Sequence, residues 1–102
     1  MVLGFTTSSS SSFPADRMIS KIGNSAQSGF VLVHASAGND QGFDCVQLGF
    51  CRWGDYSGAT PDPAASQTGT TGQVWLTQMY STGGGQSTSH AEWGTWNWAA
   101  KP

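Results

Sequence analysis

Three stretches of this chain, GFVLVHA (29–35), QVWLTQMY (73–80) and EWGTWNW (92–98), carry bulky apolar side chains that do not keep to alternate positions. In a strand, successive side chains point to opposite faces. One face of the second stretch therefore receives Val74, Leu76 and Tyr80, and the other receives Trp75 and Met79. Phe30 and Leu32 stand opposite Val31 and Val33, and Trp93 stands opposite Trp96 and Trp98. A sheet that is apolar on both faces needs a layer on each side.

The case for strands comes from residue type and spacing. Only 10% of the residues are charged, whereas the chain has 14 glycines, five tryptophans and many serines and threonines. Helices favour Ala, Leu, Glu, Lys and Arg; β-branched and aromatic residues between glycine turns favour pleated strands. The pattern predicts strands at Val2–Thr6, Arg17–Ile22, Gly29–Ala35, Asp55–Thr60, Gln73–Tyr80 and Glu92–Ala99, and almost no helix. Clusters such as SSSSSFP, SAGNDQG and STGGGQSTS separate them, and the Ser8–Ser12 run reads as a long hairpin loop.

Short antiparallel strands, apolar on both faces and joined by long loops, are what a β-propeller blade requires, since each blade packs on two neighbours. At roughly 40–50 residues per blade, 102 residues make about two. Propellers close with about four or more blades, so the chain reads as part of something larger. The expected fold class is all-β, with antiparallel four-stranded blade units and about two blades of a propeller.

Three stretches, RWGDYSGATPDP, GQVWLTQMYS and EWGTWNWAA, resemble the C-terminal blade of secreted bacterial sialidase-like (BNR-like) β-propeller proteins. VLGFTTSSSSSFPADRM and GFVLVHASAGNDQGFD resemble strands and the exit loop of the preceding blade. The resemblance implies that residues 1–44 belong to the penultimate blade and residues 45–102 to a three-stranded C-terminal blade. Ser57, Gly58, Ala59 and Thr60 suit an innermost strand beside a narrow channel, and Pro61 and Pro63 end it, because proline donates no ladder hydrogen bond. It also implies a secreted or surface location, with a signal segment upstream of Met1.

A net charge of -2 with four basic residues offers no footprint for nucleic acid, and no apolar run approaches the roughly 20 residues that span a bilayer. Cys45 and Cys51 enclose VQLGF, a spacing compatible with a local disulfide or with two buried thiols.

Arg52, Asp55 and Tyr56 are candidate binding residues, alongside a plainer reading in which Arg52 and Asp55 pair to hold the corner that starts a blade. Trp96 and Trp98 are candidates for stacking on sugar rings, alongside core packing. Asn39, Asp40 and Asp44 offer oxygen ligands from which a calcium loop could begin, but they depart from the EF-hand spacing, so no metal or cofactor is expected. His34 and His90 have no visible partners. Gripping an anionic sugar takes several arginines, and the covalent step takes a Tyr activated by a Glu; this chain has two arginines, Arg17 and Arg52, and a single glutamate, Glu92. The expectation is a non-catalytic binding or scaffold module whose partners are the remaining blades and a glycan or protein ligand. The alternative is the end of a sialidase-like glycoside hydrolase with its catalytic residues upstream.

Overall fold

A computed structural model describes residues 1–65, 67, 69 and 72–102. The described residues form two three-stranded antiparallel sheets and one short helix. The first sheet holds β1 (Val2–Ser9), β2 (Ser12–Ser20) and β3 (Val31–Ala35) in that order. Helix α1 (Phe43–Leu48) follows, and the second sheet holds β4 (Gly58–Pro61), β5 (Val74–Ser81) and β6 (Trp93–Ala100). An all-β architecture is therefore established.

Strand bounds differ from the sequence expectation in instructive ways. The serine run is mostly strand: β1 continues to Ser9 and β2 begins at Ser12, so only Ser10 and Ser11 make the turn. A register shift between Thr7 and Ser9 adds a bulge that absorbs the odd residue. A second shift between Asp16 and Arg17 leaves Val33 as the extra residue of β3, so His34 stands opposite Asp16 while Leu32 stands opposite Arg17. The fourth strand is shorter than expected and ends on Pro61.

Helix α1 was not expected. Its signals are nevertheless local: Gly42 at the start, Asp44 in the first turn, and Gly49 in the left-handed conformation (φ 73°) at the end, its N–H donating to the Cys45 carbonyl at 3.0 Å. Six residues are too few for apolar periodicity to stand out.

The two sheets pack face to face, with β5 lying against β1 and β2. Gly4 permits the approach, because a Cβ there would sit 3.0 Å from Leu76 Cδ2 and 3.1 Å from the Trp98 ring. On the facing surface of the second sheet, Leu76 is paired with Trp98 and Gln78 with Trp96. The segment after β3 crosses the end of β5 in a tight polar seam. There the Ser81 N–H donates to Ser36 Oγ at 2.9 Å, and Ser81 Oγ donates to the Asn39 carbonyl at 2.7 Å, which accounts for the full burial of Ser81. Gly83 (φ +71°) sits at that crossing, where a Cβ would lie 2.7 Å from the carbonyl carbon of Ala37.

The outward faces are thinly covered. Leu3, Phe5 and Leu32 share the outer face of the first sheet, with the Phe30 ring edge-on to Phe5 at 5.2 Å. Phe30 is 66% exposed and Leu32 54%. On the outer face of the second sheet, Trp75 is 46% exposed beside an open trough of about 510 Å³ whose walls include Thr77 and Asn97. The buried apolar side chains among the described residues are Ala15, Ile19, Leu76, Met79 and Ala100.

Candidate functional site

The chain chemistry concentrates around α1 and the corner that follows it. Phe43 N–H donates to the His90 carbonyl at 3.1 Å, tying the start of the helix to the β5–β6 loop. The Cys45–Cys51 disulfide joins the helix to the corner, resolving the two alternatives left by the sequence. Asp44 Oδ2 accepts the Arg52 N–H at 3.3 Å, a further tie between the same two stretches.

Arg52 and Asp55 form an exposed ion pair at 2.7 Å. Tyr56 stacks on Trp93 with centroids 5.0 Å apart and planes 20° from parallel. These side chains, with Phe43, Leu48 and Met79, wall a cleft of about 260 Å³ over one end of the second sheet. The three sequence candidates in this corner thus lie together. An exposed pair of this kind contributes about 0–1 kcal/mol, and its guanidinium is engaged by its own neighbour.

Trp96 and Trp98 are oriented towards the first sheet. The Trp96 ring lies on His34 at 4.0 Å and 7°, and Tyr80 meets both rings edge-on. Trp98 is half-buried against Gly4. Both indoles therefore serve the packing between sheets, with Trp96 retaining 40% exposure. His34, without a visible partner in the sequence, is part of this aromatic group.

Of the three oxygen-ligand candidates, Asp40 is buried and accepts the Gly42 N–H at 3.1 Å through Oδ1. Burial pushes its carboxyl above the ordinary range against the lowering effect of that bond, and the negative charges of Asp44 and Glu92 push it further. Asn39 is exposed, its carbonyl engaged by Ser81. Among the described residues, the group of three side chains that brings metal-ligand atoms within 4.8 Å of one another is Asp40, Cys45 and Cys51. The two sulfurs are bonded to each other, which leaves Asp40 a single carboxylate ligand there.

Sequence reasoning missed three arrangements. The first is around His90: Nε2 meets Glu92 Oε1 at 2.8 Å, and Nδ1 meets Ser87 Oγ at 3.0 Å and Ser89 Oγ at 3.2 Å. Ser87 Oγ also accepts the N–H groups of Ser89 and His90, which leaves its own proton to face Nδ1 beside the Ser89 hydroxyl. The spacing looks like a Ser–His–Glu relay, but Ser87 is buried and its oxygen is occupied, so the group fixes the loop. The second is Asp62, whose Oδ2 accepts from Trp75 Nε1 at 3.1 Å and from Gln73 Nε2 at 3.2 Å. Its carboxyl is held below the ordinary range chiefly by Trp75, then by the Ala64 N–H. The third is a polar cleft beneath the β1–β2 hairpin tip that includes Asp40 and Trp53. The first lies within six consecutive residues, Ser87 to Glu92, where the serines read as ordinary loop residues, and the members of the other two meet through loop paths.

Comparison with protein-family models, with curated proteins and with solved structures finds no match to this chain. Among the described residues no helix is long and apolar enough to cross a membrane. The disulfide is compatible with an oxidising, extracellular compartment.

Proposed function

We propose that this chain supplies two adjoining blades of a sialidase-like β-propeller and acts as a binding and scaffold module without catalysis of its own. The observation that carries this is a pair of face-to-face antiparallel sheets with apolar side chains left on both outward faces: Leu3, Phe30 and Leu32 on one, Trp75 on the other. Further blades, packing face to face, are the natural cover for both. The short exposed strand β4, with Gly58 and Ala59, suits an innermost position beside a channel. A secreted location, and a glycan or protein ligand for the assembled propeller, belong to the same proposal.

The test is sedimentation of the isolated 102-residue chain. Self-association that weakens when Phe30 and Leu32 are both changed to serine is expected. A monodisperse monomer that melts cooperatively and excludes hydrophobic dyes would overturn the blade assignment. Turnover of fluorogenic glycosides by the chain would overturn the non-catalytic part and favour the hydrolase alternative.

A further inference from the structure

Asp40 meets the Cys45–Cys51 disulfide with two of its groups. Its carbonyl oxygen lies 3.4 Å from Cys45 Sγ and 3.1 Å from Cys51 Sγ. Its carboxylate brings an oxygen within 4.8 Å of both sulfurs. The same residue is only 8% exposed, and its Oδ2 is buried without a hydrogen-bond partner among the described residues, a state that buried polar atoms rarely keep. Asp44 and Glu92 are close enough for their charges to act on it. A buried carboxylate in a negative surrounding, set against two sulfurs, calls for a cation.

While the sulfurs are bonded to each other, the group offers a metal one carboxylate. Reduction changes that. A dithiol reductant delivers two electrons to the S–S bond, which breaks to give two thiols on the chain, and the reductant is itself oxidised to a disulfide. Two thiolates and a carboxylate suit Zn²⁺, whereas Ca²⁺ takes about six to eight oxygens. Around a tetrahedral zinc, sulfur and oxygen ligands stand about 3.5–3.8 Å apart, so the freed sulfurs must part and the carboxylate close in, both by side-chain rotation. Cys51 is exposed and lines the open cleft beneath the β1–β2 hairpin tip, which gives reductant and ion a way in.

We propose that Asp40, Cys45 and Cys51 form a redox-gated zinc site, shut as the disulfide and able to take one Zn²⁺ once the disulfide is reduced. Binding makes two S–Zn bonds and one O–Zn bond, releases the two thiol protons to solvent and gives the fourth position to water. The metal then replaces the disulfide as the tie between α1 and the corner, and adds the 39–41 segment to it. The blade assignment plays no part, because all three ligands come from this chain.

The experiment is a titration of the full chain with Co²⁺, whose thiolate charge-transfer and visible d–d bands report tetrahedral sulfur ligation, followed by displacement with Zn²⁺. A phosphine under argon reduces the disulfide, taking its oxygen from water, since a dithiol would itself compete for the metal. One equivalent of Co²⁺ in the reduced chain, bleached by Zn²⁺ with a dissociation constant of about micromolar or tighter, is expected, with no bands in the oxidised chain. Cys51→Ser is expected to abolish the bands. Asp40→Asn keeps both thiols and is expected to weaken zinc binding about tenfold or more, since even the outer partners of zinc ligands are worth about 10–100-fold. Amide spectra of the reduced chain are expected to be dispersed when zinc is present. No binding up to about 100 µM zinc would overturn the proposal, as would equal binding by the oxidised chain, equal binding by Asp40→Asn, or a reduced chain that stays unfolded with zinc.

Discussion

Folding takes Asp16 out of water altogether: its residue is 0% exposed, Oδ1 accepts a single hydrogen bond from Thr6 at 3.3 Å, and Oδ2 has no partner among the described residues. Burial pushes its carboxyl from the ordinary 3.8 up to about 6, with the Thr6 bond pulling the other way. The native state therefore holds this proton more tightly than the unfolded chain. Its contribution to stability is complete below pH 3.8 and is lost as pH rises through about 6. Asp16→Asn, which stays neutral and can keep the Thr6 bond, is expected to remove this loss and raise stability at pH 8 by on the order of 2–3 kcal/mol, measured by urea denaturation across pH 4–8. Gly83 provides a second test at this scale. Gly83→Ala forces a side chain into positive φ against Ala37 and is expected to lower stability by at least about 1–2 kcal/mol in the same assay. Neither sensitivity is visible in the sequence, where Asp16 sits in an ordinary polar-apolar run and Gly83 is one of three consecutive glycines. The crossing of strands and loops decides both.

At the scale of elements, the disulfide and helix α1 act together. The helix is six residues long, none of them buried, and short helices are marginal on their own. Closing the small loop between Cys45 and Cys51 restrains the unfolded chain by about 2 kcal/mol in the entropic model. Cys45→Ser with Cys51→Ser is expected to lower the midpoint of thermal unfolding by several degrees, and to increase hydrogen exchange at Gly49, whose N–H closes the helix. Loss of exchange protection without a change in midpoint would mean that the helix is only a lid on the sheets. The pairing was legible as one of two possibilities from spacing alone. The helix was legible only in its caps, Gly42, Asp44 and Gly49, and those were outweighed by the glycines and serines around them.

The whole molecule is extended, measuring 51 × 28 × 19 Å, with a radius of gyration of 15.9 Å where about 13 Å suits a compact domain of this length. Its accessible surface is 6295 Å², against about 5,500 Å² for a typical folded monomer of 10.7 kDa. Both excesses follow from sheets that are apolar on two sides and pack on each other, with the outer face of the second sheet covered by α1 and the corner after it at one end, around Met79 and Trp93. Burial of one face of each sheet leaves Phe30 and Leu32 at one end and Trp75 at the other.

The distribution of apolar residues along the strands belongs to the sequence by itself. Val74, Leu76 and Tyr80 fall on one face and Trp75 and Met79 on the other whatever the strand packs against, because side-chain direction alternates with every residue. The strands, their antiparallel turns and the need for covering layers follow from that local geometry. Which face is covered, and by what, was decided only in three dimensions. Gly4 lets one sheet approach Leu76 and Trp98, the loop bearing Gly83 crosses the chain after β3, and Asp16, Asp40 and Trp53 are drawn away from water. Those residues are far apart along the chain, and burial and partner choice depend on distances through space, to which residue order alone is blind.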